Sequence, residues 1–200
     1  MRTGVLGGTF DPPHLAHLVL GAAARRALQL DRVLFVPAGE PWRKAERAVT
    51  PPAIRLELVR AAVAPLPWAA VSTIEVDRSG PTYTADTLRA LAGAGGDWWF
   101  LLGADALADL PRWHDPAAII ALARLGLASR PTELAIAADP PADALAQLPG
   151  LAERLDVVPM PSLEIAATDL RARVRAGLPT RYLLPEAVRT LIDAHGLYRD

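Results

Sequence analysis

Residues 7–17, Gly-Gly-Thr-Phe-Asp-Pro-Pro-His-Leu-Ala-His, constrain the fold more than any other stretch of the chain. They follow the short apolar run Gly4-Val5-Leu6 and lead into an apolar segment ending near Leu30, a pattern that reads as strand, tight glycine turn and helix. Gly7 and Gly8 carry no Cβ, so the backbone there is free to turn sharply and bring its N–H groups close to an anion. Asp11 is placed to cap the helix, with Pro12 or Pro13 in a first turn where a missing N–H costs nothing. The helix start then offers unpaired N–H groups and the positive end of its dipole. His14 and His17, three residues apart, are expected to share one face of that helix. Two of the chain's four histidines fall within this stretch, and paired imidazoles beside a positive helix end suit a polyphosphate better than a metal ion alone.

Composition narrows the partners. With 200 residues, 52% hydrophobic and 22% charged, the chain holds enough apolar side chain for one full core, which excludes a disordered protein. A net charge of -1 gives no broad attraction for nucleic acid or anionic membrane, so any positive potential must be local. The absence of cysteine excludes disulfides, thiol catalysis and zinc–thiolate sites. No apolar run is long enough to span a bilayer and no signal-peptide pattern opens the chain, so a soluble cytoplasmic protein is expected. Oligomeric state is not written in these residues.

Downstream, strands and helices alternate. Residues 32–36 form a short β-branched run ended by Pro37, and residues 37–44 mix turn formers with Trp42, Arg43 and Lys44, a loop at a strand's C-terminal end. Over 51–64 the apolar residues Ile54, Leu58, Val59, Ala62 and Val63 have helical period, which turns Arg55, Glu57 and Arg60 outward. Residues 69–76 read as a strand, and 82–88 as a helix start with a threonine as N-cap and Asp86 in the first turn. The run 98–102 is the most apolar strand candidate and therefore central. It ends in Gly103-Ala104-Asp105, where the carboxylate serves either a ribose hydroxyl pair or a helix N-cap. Trp113 follows on a loop between Arg112 and His114, placed to pack down or to stack on a ring.

A further strand, 124–129, ends at Arg130, and residues 132–150 are alanine, proline and acid without a clear period. A last short strand is expected at 155–158, a helix capped by Thr168 with Arg171 in its first turns, and a closing amphipathic helix over 185–194. Such alternation predicts an α/β fold with one doubly wound, mostly parallel sheet, whose strand-to-helix loops gather the candidate groups at one edge.

The stretch 7–17 resembles the Gly-x-Phe-Asp-Pro-x-His-x-x-His signature of the nucleotidyltransferase superfamily. Residues 75–88, Gly103-Ala104-Asp105 with 110–113, Thr168-Asp169-Leu170-Arg171, and the ending 181–185 with Leu197-Tyr198 narrow the resemblance to the bacterial nicotinate-nucleotide adenylyltransferases across nearly the whole chain. The resemblance implies a single Rossmann-like nucleotidyltransferase domain over 1–200 with a small helical part from about 168. It implies a magnesium-dependent reaction in NAD biosynthesis in which ATP and nicotinate mononucleotide give deamido-NAD and pyrophosphate, with Mg2+ carried on the ATP phosphates and no metal site of the protein's own.

By the same resemblance Gly7, Gly8, Thr9 and Phe10 line the α-phosphate. His14 and His17 stabilise charge on it and on the departing pyrophosphate, while Lys44, Thr168 and Arg171 hold the β- and γ-phosphates. Asp105 takes the adenosine ribose. Tyr83, Thr84, Trp113 and Arg130 form the acceptor site, with Trp113 stacked on the pyridine. Two departures from the family pattern stand out: Ala166 and Ala167 replace two serines, and Trp42-Arg43 replaces Pro-His, so altered ATP affinity is expected. Adenylyl transfer to nicotinamide mononucleotide or phosphopantetheine, or a nucleotide-binding regulator with weakened catalysis, are the alternatives these residues leave open.

Overall fold

A computed structural model describes residues 1–41, 49–129 and 142–199. Six strands make the main sheet: β1 (Arg2–Gly8), β2 (Arg32–Pro37), β4 (Ala69–Val71), β6 (Asp97–Leu102), β7 (Arg124–Ser129) and β8 (Leu155–Pro159). Their spatial order is β4-β2-β1-β6-β7-β8 and every pairing is parallel. The chain builds outward from β1 to β4, then crosses back to β6 and builds outward the other way. The strand order therefore reverses between β1 and β6, where the carboxyl ends diverge and leave a crevice. A two-stranded parallel ribbon, β3 (Glu40–Pro41) with β5 (Pro81–Thr82), stands beside it.

Both faces of the sheet are buried, which is why its strands are nearly continuous apolar runs. Side chains alternate between two cores: Leu6, Val33, Phe35, Trp99 and Leu101 on one face, Val5, Leu34, Val36, Trp98, Phe100 and Leu102 on the other. The first core is covered by α1 (Leu15–Ala27), α2 (Pro52–Val63), α7 (Ala167–Arg175) and α8 (Glu186–Ala194), which contribute Leu20, Leu58, Leu170 and Val188. The second is covered by α3 (Thr84–Ala92), α4 (Ala104–Asp109), α5 (Pro116–Leu122) and α6 (Ala142–Gln147), through Leu88, Leu107, Ile119 and Ala144. Among the described residues no helix is long and apolar enough to cross a membrane.

The doubly wound parallel sheet expected from the alternation is present, but several local expectations need correction. The strand proposed over 69–76 stops at Val71. The Ser72 N–H still reaches the Phe35 carbonyl, but then Asp77 N–H bonds the Thr73 carbonyl and the Thr73 hydroxyl bonds the Asp77 carboxylate at 2.6 Å, so a closed turn replaces the ladder. The segment 132–150, which showed no period, carries α6 in its described part; residues 132–141 lie outside the described residues. Glycines 7 and 8 do not form a turn; they continue β1, paired with Val36 and Pro37.

Candidate active site

The crevice between β1 and β6 is a cavity of about 420 Å³. Its floor is the end of β1. A Cβ on Gly7 would touch the Phe100 ring at 3.4 Å and one on Gly8 the Phe10 ring at the same distance, ordinary van der Waals contacts, so these two rings lie against the strand end and close the base. Within residues 7–17 it is Phe10, not a glycine, that has left-handed backbone, at φ 50. A non-glycine residue holds that conformation only when its surroundings demand it. Here the ring is 2% exposed, set edge-on to His17 at 4.8 Å and tilted against Phe35 at 6.1 Å.

Asp11 does not cap α1. It is buried, its carboxylate accepts the Tyr198 hydroxyl at 2.7 Å, and its carbonyl accepts Arg171 Nη1 at 2.8 Å. The helix starts only at Leu15, and its cap is His14, extended at φ -139 and ψ 172. The two histidines meet through this cap rather than along a helix face: the His14 N–H donates to His17 Nδ1 at 3.1 Å and the rings stack at 3.7 Å. Because Nδ1 of His17 accepts, neutral His17 carries its proton on Nε2. The first free amide of α1, Leu15 N–H, donates to the Leu183 carbonyl at 3.1 Å, so the C-terminal segment holds both sides of the signature loop.

Burial alone pushes His14 down to about 4, so at neutral pH it is an uncharged imidazole, and its buried Nδ1 has no partner among the described residues. An anion placed beside it would reverse that shift, because a negative neighbour favours imidazolium.

The far wall is built by two loops that the ribbon locks together. Ala38 N–H donates to the Gly8 carbonyl at 2.9 Å, and the Thr82 hydroxyl reaches the Glu40 carbonyl at 3.4 Å. Gly39 must be glycine: a Cβ there would lie 2.1 Å from the Glu75 carbonyl oxygen. Glu75 itself lines the cavity, and its carboxylate accepts the Thr87 hydroxyl at 2.7 Å. Burial raises its pKa, against the opposing effects of Thr87, Thr82, Arg78 and Arg55. Trp113 lines the same region, edge-on to Phe100 at 5.9 Å. Among the described residues no three His, Cys, Asp or Glu side chains gather to hold a metal.

Of the residues singled out by sequence, Gly7, Gly8, Thr9, Phe10, His14, His17, Thr84 and Trp113 line the cavity together. Others stand beside it. Tyr83 caps α3 in place of a threonine, its ring against His114 at 4.4 Å, because the Thr82 hydroxyl is engaged at Glu40. Asp105 is exposed in the first turn of α4, capped by Gly103, and its neighbour Ala106 faces the cavity. The cap of α7 is Ala166, two residues earlier than expected, which puts Thr168 inside the helix accepting from Arg171 at 3.2 Å. Ala167 lines the cavity. Lys44, Arg130, Trp42 and Arg43 lie outside the described residues.

The largest correction concerns Arg55. It was expected to face solvent and is instead 0% exposed, donating to the carbonyls of Thr50, Thr9 and Gly39 at 2.7, 2.8 and 2.8 Å. A signal existed, since Arg55 falls on one helical stripe with Val59 and Ala62. Sequence reasoning also gave no individual role to Glu75 or Tyr198.

Comparison with known proteins adds to this geometry. Residues 5–173 match the family described as Cytidylyltransferase-like. A probable nicotinate-nucleotide adenylyltransferase of Roseiflexus sp. (strain RS-1) is 50% identical over 198 residues, covering 98% of this chain and 97% of the relative. A protein of the same description from Thermomicrobium roseum is 44% identical, covering 99% and 92%. Among solved structures, the Plasmodium falciparum nicotinic acid mononucleotide adenylyltransferase complexed with NaAD superposes with a TM-score of 0.78 at 15% identity, covering 98% of this chain and 97% of that one. At that identity the likeness is one of fold.

Proposed function

We infer, for a chain that belongs to the Cytidylyltransferase-like family and within it to the nicotinate-nucleotide adenylyltransferases, that it joins the AMP part of ATP to nicotinate mononucleotide, giving deamido-NAD and pyrophosphate. The observation that carries this reading is the stacked His14–His17 pair beside the Gly7–Gly8 end of β1, where the strand order reverses.

In this reading a 5′-phosphate oxygen of the acceptor attacks the α-phosphorus of ATP in line. The new P–O bond forms as the bond to the β-phosphate breaks, and pyrophosphate leaves with the electron pair. The nucleophile is already ionised, so the protein's task is positioning and charge stabilisation rather than proton removal. The backbone of Gly8, Thr9 and Phe10 and the Nε2–H of His17 face the α-phosphate, and His14 takes up charge as the triphosphate arrives. Arg171, with Thr168 and Lys44, serves the β- and γ-phosphates, and Asp105 serves the ribose. Thr84 and Trp113 hold the acceptor's pyridine, with Tyr83 and Arg130 beside them.

Nucleotidyltransferases of this kind typically use a divalent metal. Asp11 accepts from Tyr198, and Mg2+ would be carried on the phosphate oxygens of ATP, where it would neutralise part of their charge. The 200 residues act as one catalytic unit, and a cytoplasmic location accords with this role. Pyrophosphate release from ATP, measured with nicotinate mononucleotide, nicotinamide mononucleotide and phosphopantetheine in turn, tests the reading. Preference for nicotinate mononucleotide is expected; preference for another acceptor, or ATP binding with no turnover, overturns it.

A further inference from the structure

Adenylyl transfer needs the peptide groups that face the phosphate held in one orientation, and a side chain outside the cavity is built to hold them. Arg55, in α2, directs Nε, Nη1 and Nη2 to three carbonyl oxygens from three separate segments: Thr50 at the entry to α2, Thr9 in the signature loop, and Gly39 after β2. It is fully buried, with the negative groups of Asp11 and Glu75 near enough to offset part of the cost of burying its charge. Lysine could not do this work, because one ammonium on a flexible stem lacks the planar fork that reaches three acceptors at once.

The contact with Thr9 has a directional consequence. The peptide joining Thr9 to Phe10 is trans, so its C=O and N–H point to opposite sides. Holding the Thr9 carbonyl on the guanidinium therefore sends the Phe10 N–H the other way, and both residues line the cavity while Arg55 does not. Phe10 is already in a backbone conformation that non-glycine residues rarely hold, so the opposite orientation of this peptide, carbonyl towards the phosphate, is within reach. A carbonyl oxygen there would repel the anion that an N–H attracts. The other two contacts hold Gly39 and Thr50, the described shoulders on either side of residues 42–48.

We propose that Arg55 is the positioning residue of this site, its guanidinium fixing the Thr9–Phe10 peptide so that the N–H rather than the carbonyl faces the reacting phosphate. The proposal rests on the adenylyl-transfer reading, and wild-type turnover with ATP and nicotinate mononucleotide tests that reading separately.

The test compares Arg55→Lys and Arg55→Met with Leu58→Ala, a change in the same helix that removes buried apolar contact and no carbonyl partner. Each is assayed at a temperature where circular dichroism shows it folded. Per folded molecule, both Arg55 variants are expected to lose kcat by roughly a hundredfold, the scale of a small misplacement of reacting groups, with KM for ATP and acceptor changed far less. Leu58→Ala is expected to keep its kcat within about twofold whatever its Tm. The proposal is overturned if Arg55→Lys retains wild-type kcat, or if Leu58→Ala loses as much. Should neither Arg55 variant fold, ¹⁵N NMR of the wild type decides. The Arg55 guanidinium and Phe10 N–H signals are expected to shift together on adding a non-hydrolysable ATP analogue, and an unmoved pair of signals overturns the proposal. An inactive wild type would count against the proposed function instead.

Discussion

The parallel sheet has a hollow at each end, and the larger one is not the candidate site. At the amino ends of the strands, Arg2, Arg124, Arg154, Asp156, Trp98 and Trp99 surround about 610 Å³, against about 420 Å³ at the carboxyl ends. The cations of the larger hollow have partners within the fold. Arg124 meets Asp156 through two nitrogens at 2.6 and 2.8 Å, Arg154 donates to the Ile120 and Ala121 carbonyls, and Arg2 donates to the Leu28 carbonyl while lying over the Trp99 ring. Trp99 Nε1 adds a third donor to Asp156. Among the buried side-chain atoms of the described residues there, the neutral indole Trp98 Nε1 has no partner. At the carboxyl ends, by contrast, the fold holds donors in place around a space it does not fill, with an imidazole kept neutral by burial and a residue kept at positive φ. The first hollow is a seam that stabilises; the second has groups suited to a ligand that arrives.

The sharpest way to break that contrast is His17→Ala. Loss of one preorganised donor to the transferring phosphate is expected to lower kcat by about 10²–10³ while ATP still binds. Arg124→Met, at the other end, should lower Tm and leave kcat per folded molecule within about twofold. Equal losses of kcat would remove the distinction.

Next in size is a pH effect of His14 at the carboxyl end. The folded pKa of His14 lies near 4, below its ordinary 6.5, so the unfolded chain binds a proton that the native state refuses as pH falls through that window. Stability is then lost from about pH 6.5 down to about 4, by on the order of 3 kcal/mol. Glu75 works oppositely, its raised pKa giving stability at low pH that is lost on going up, so the difference between wild type and His14→Gln is the quantity to measure by urea unfolding. A pH-independent difference contradicts the account. Asp156, held low mainly by its hydrogen bond from Arg124, contributes stability above its ordinary 3.8 that is lost only in stronger acid.

A smaller loss is expected from Tyr198→Phe, which leaves the buried Asp11 carboxylate short of a donor and should cost about 1–3 kcal/mol in chemical unfolding. An unchanged midpoint would mean that the C-terminal segment does not hold the signature loop through this bond. Smallest is Ala167→Ser, restoring a hydroxyl on the cavity wall, for which calorimetry should show ATP binding tightened by several-fold, the value of one hydrogen bond.

The two ends also differ in how far sequence revealed them. The strands could be found because both faces of the sheet are covered, which leaves unbroken apolar runs such as residues 98–102. The histidine pair was legible from its spacing, although a cap rather than a shared helix face brings the rings together. Glycines 7 and 8 read as a turn because glycine permits one, whereas both remain in β1, paired with Val36 and Pro37. The helix caps were misplaced by a residue or two because the nearby threonine hydroxyls bond elsewhere, Thr82 to Glu40 and Thr168 to Arg171. For Arg55 the helical stripe hints at its burial but not at its role. Its partners are carbonyls 5, 16 and 46 residues away, and no local period encodes them.

Hydrogen exchange of the wild-type protein with and without saturating deamido-NAD tests the central claim most directly. Protection is predicted over residues 7–17 and 82–88 and around Trp113, with the strand starts at 96–99 and 122–124 unchanged. Protection at those strand starts, with 7–17 unaffected, would place the ligand in the larger hollow and contradict the account.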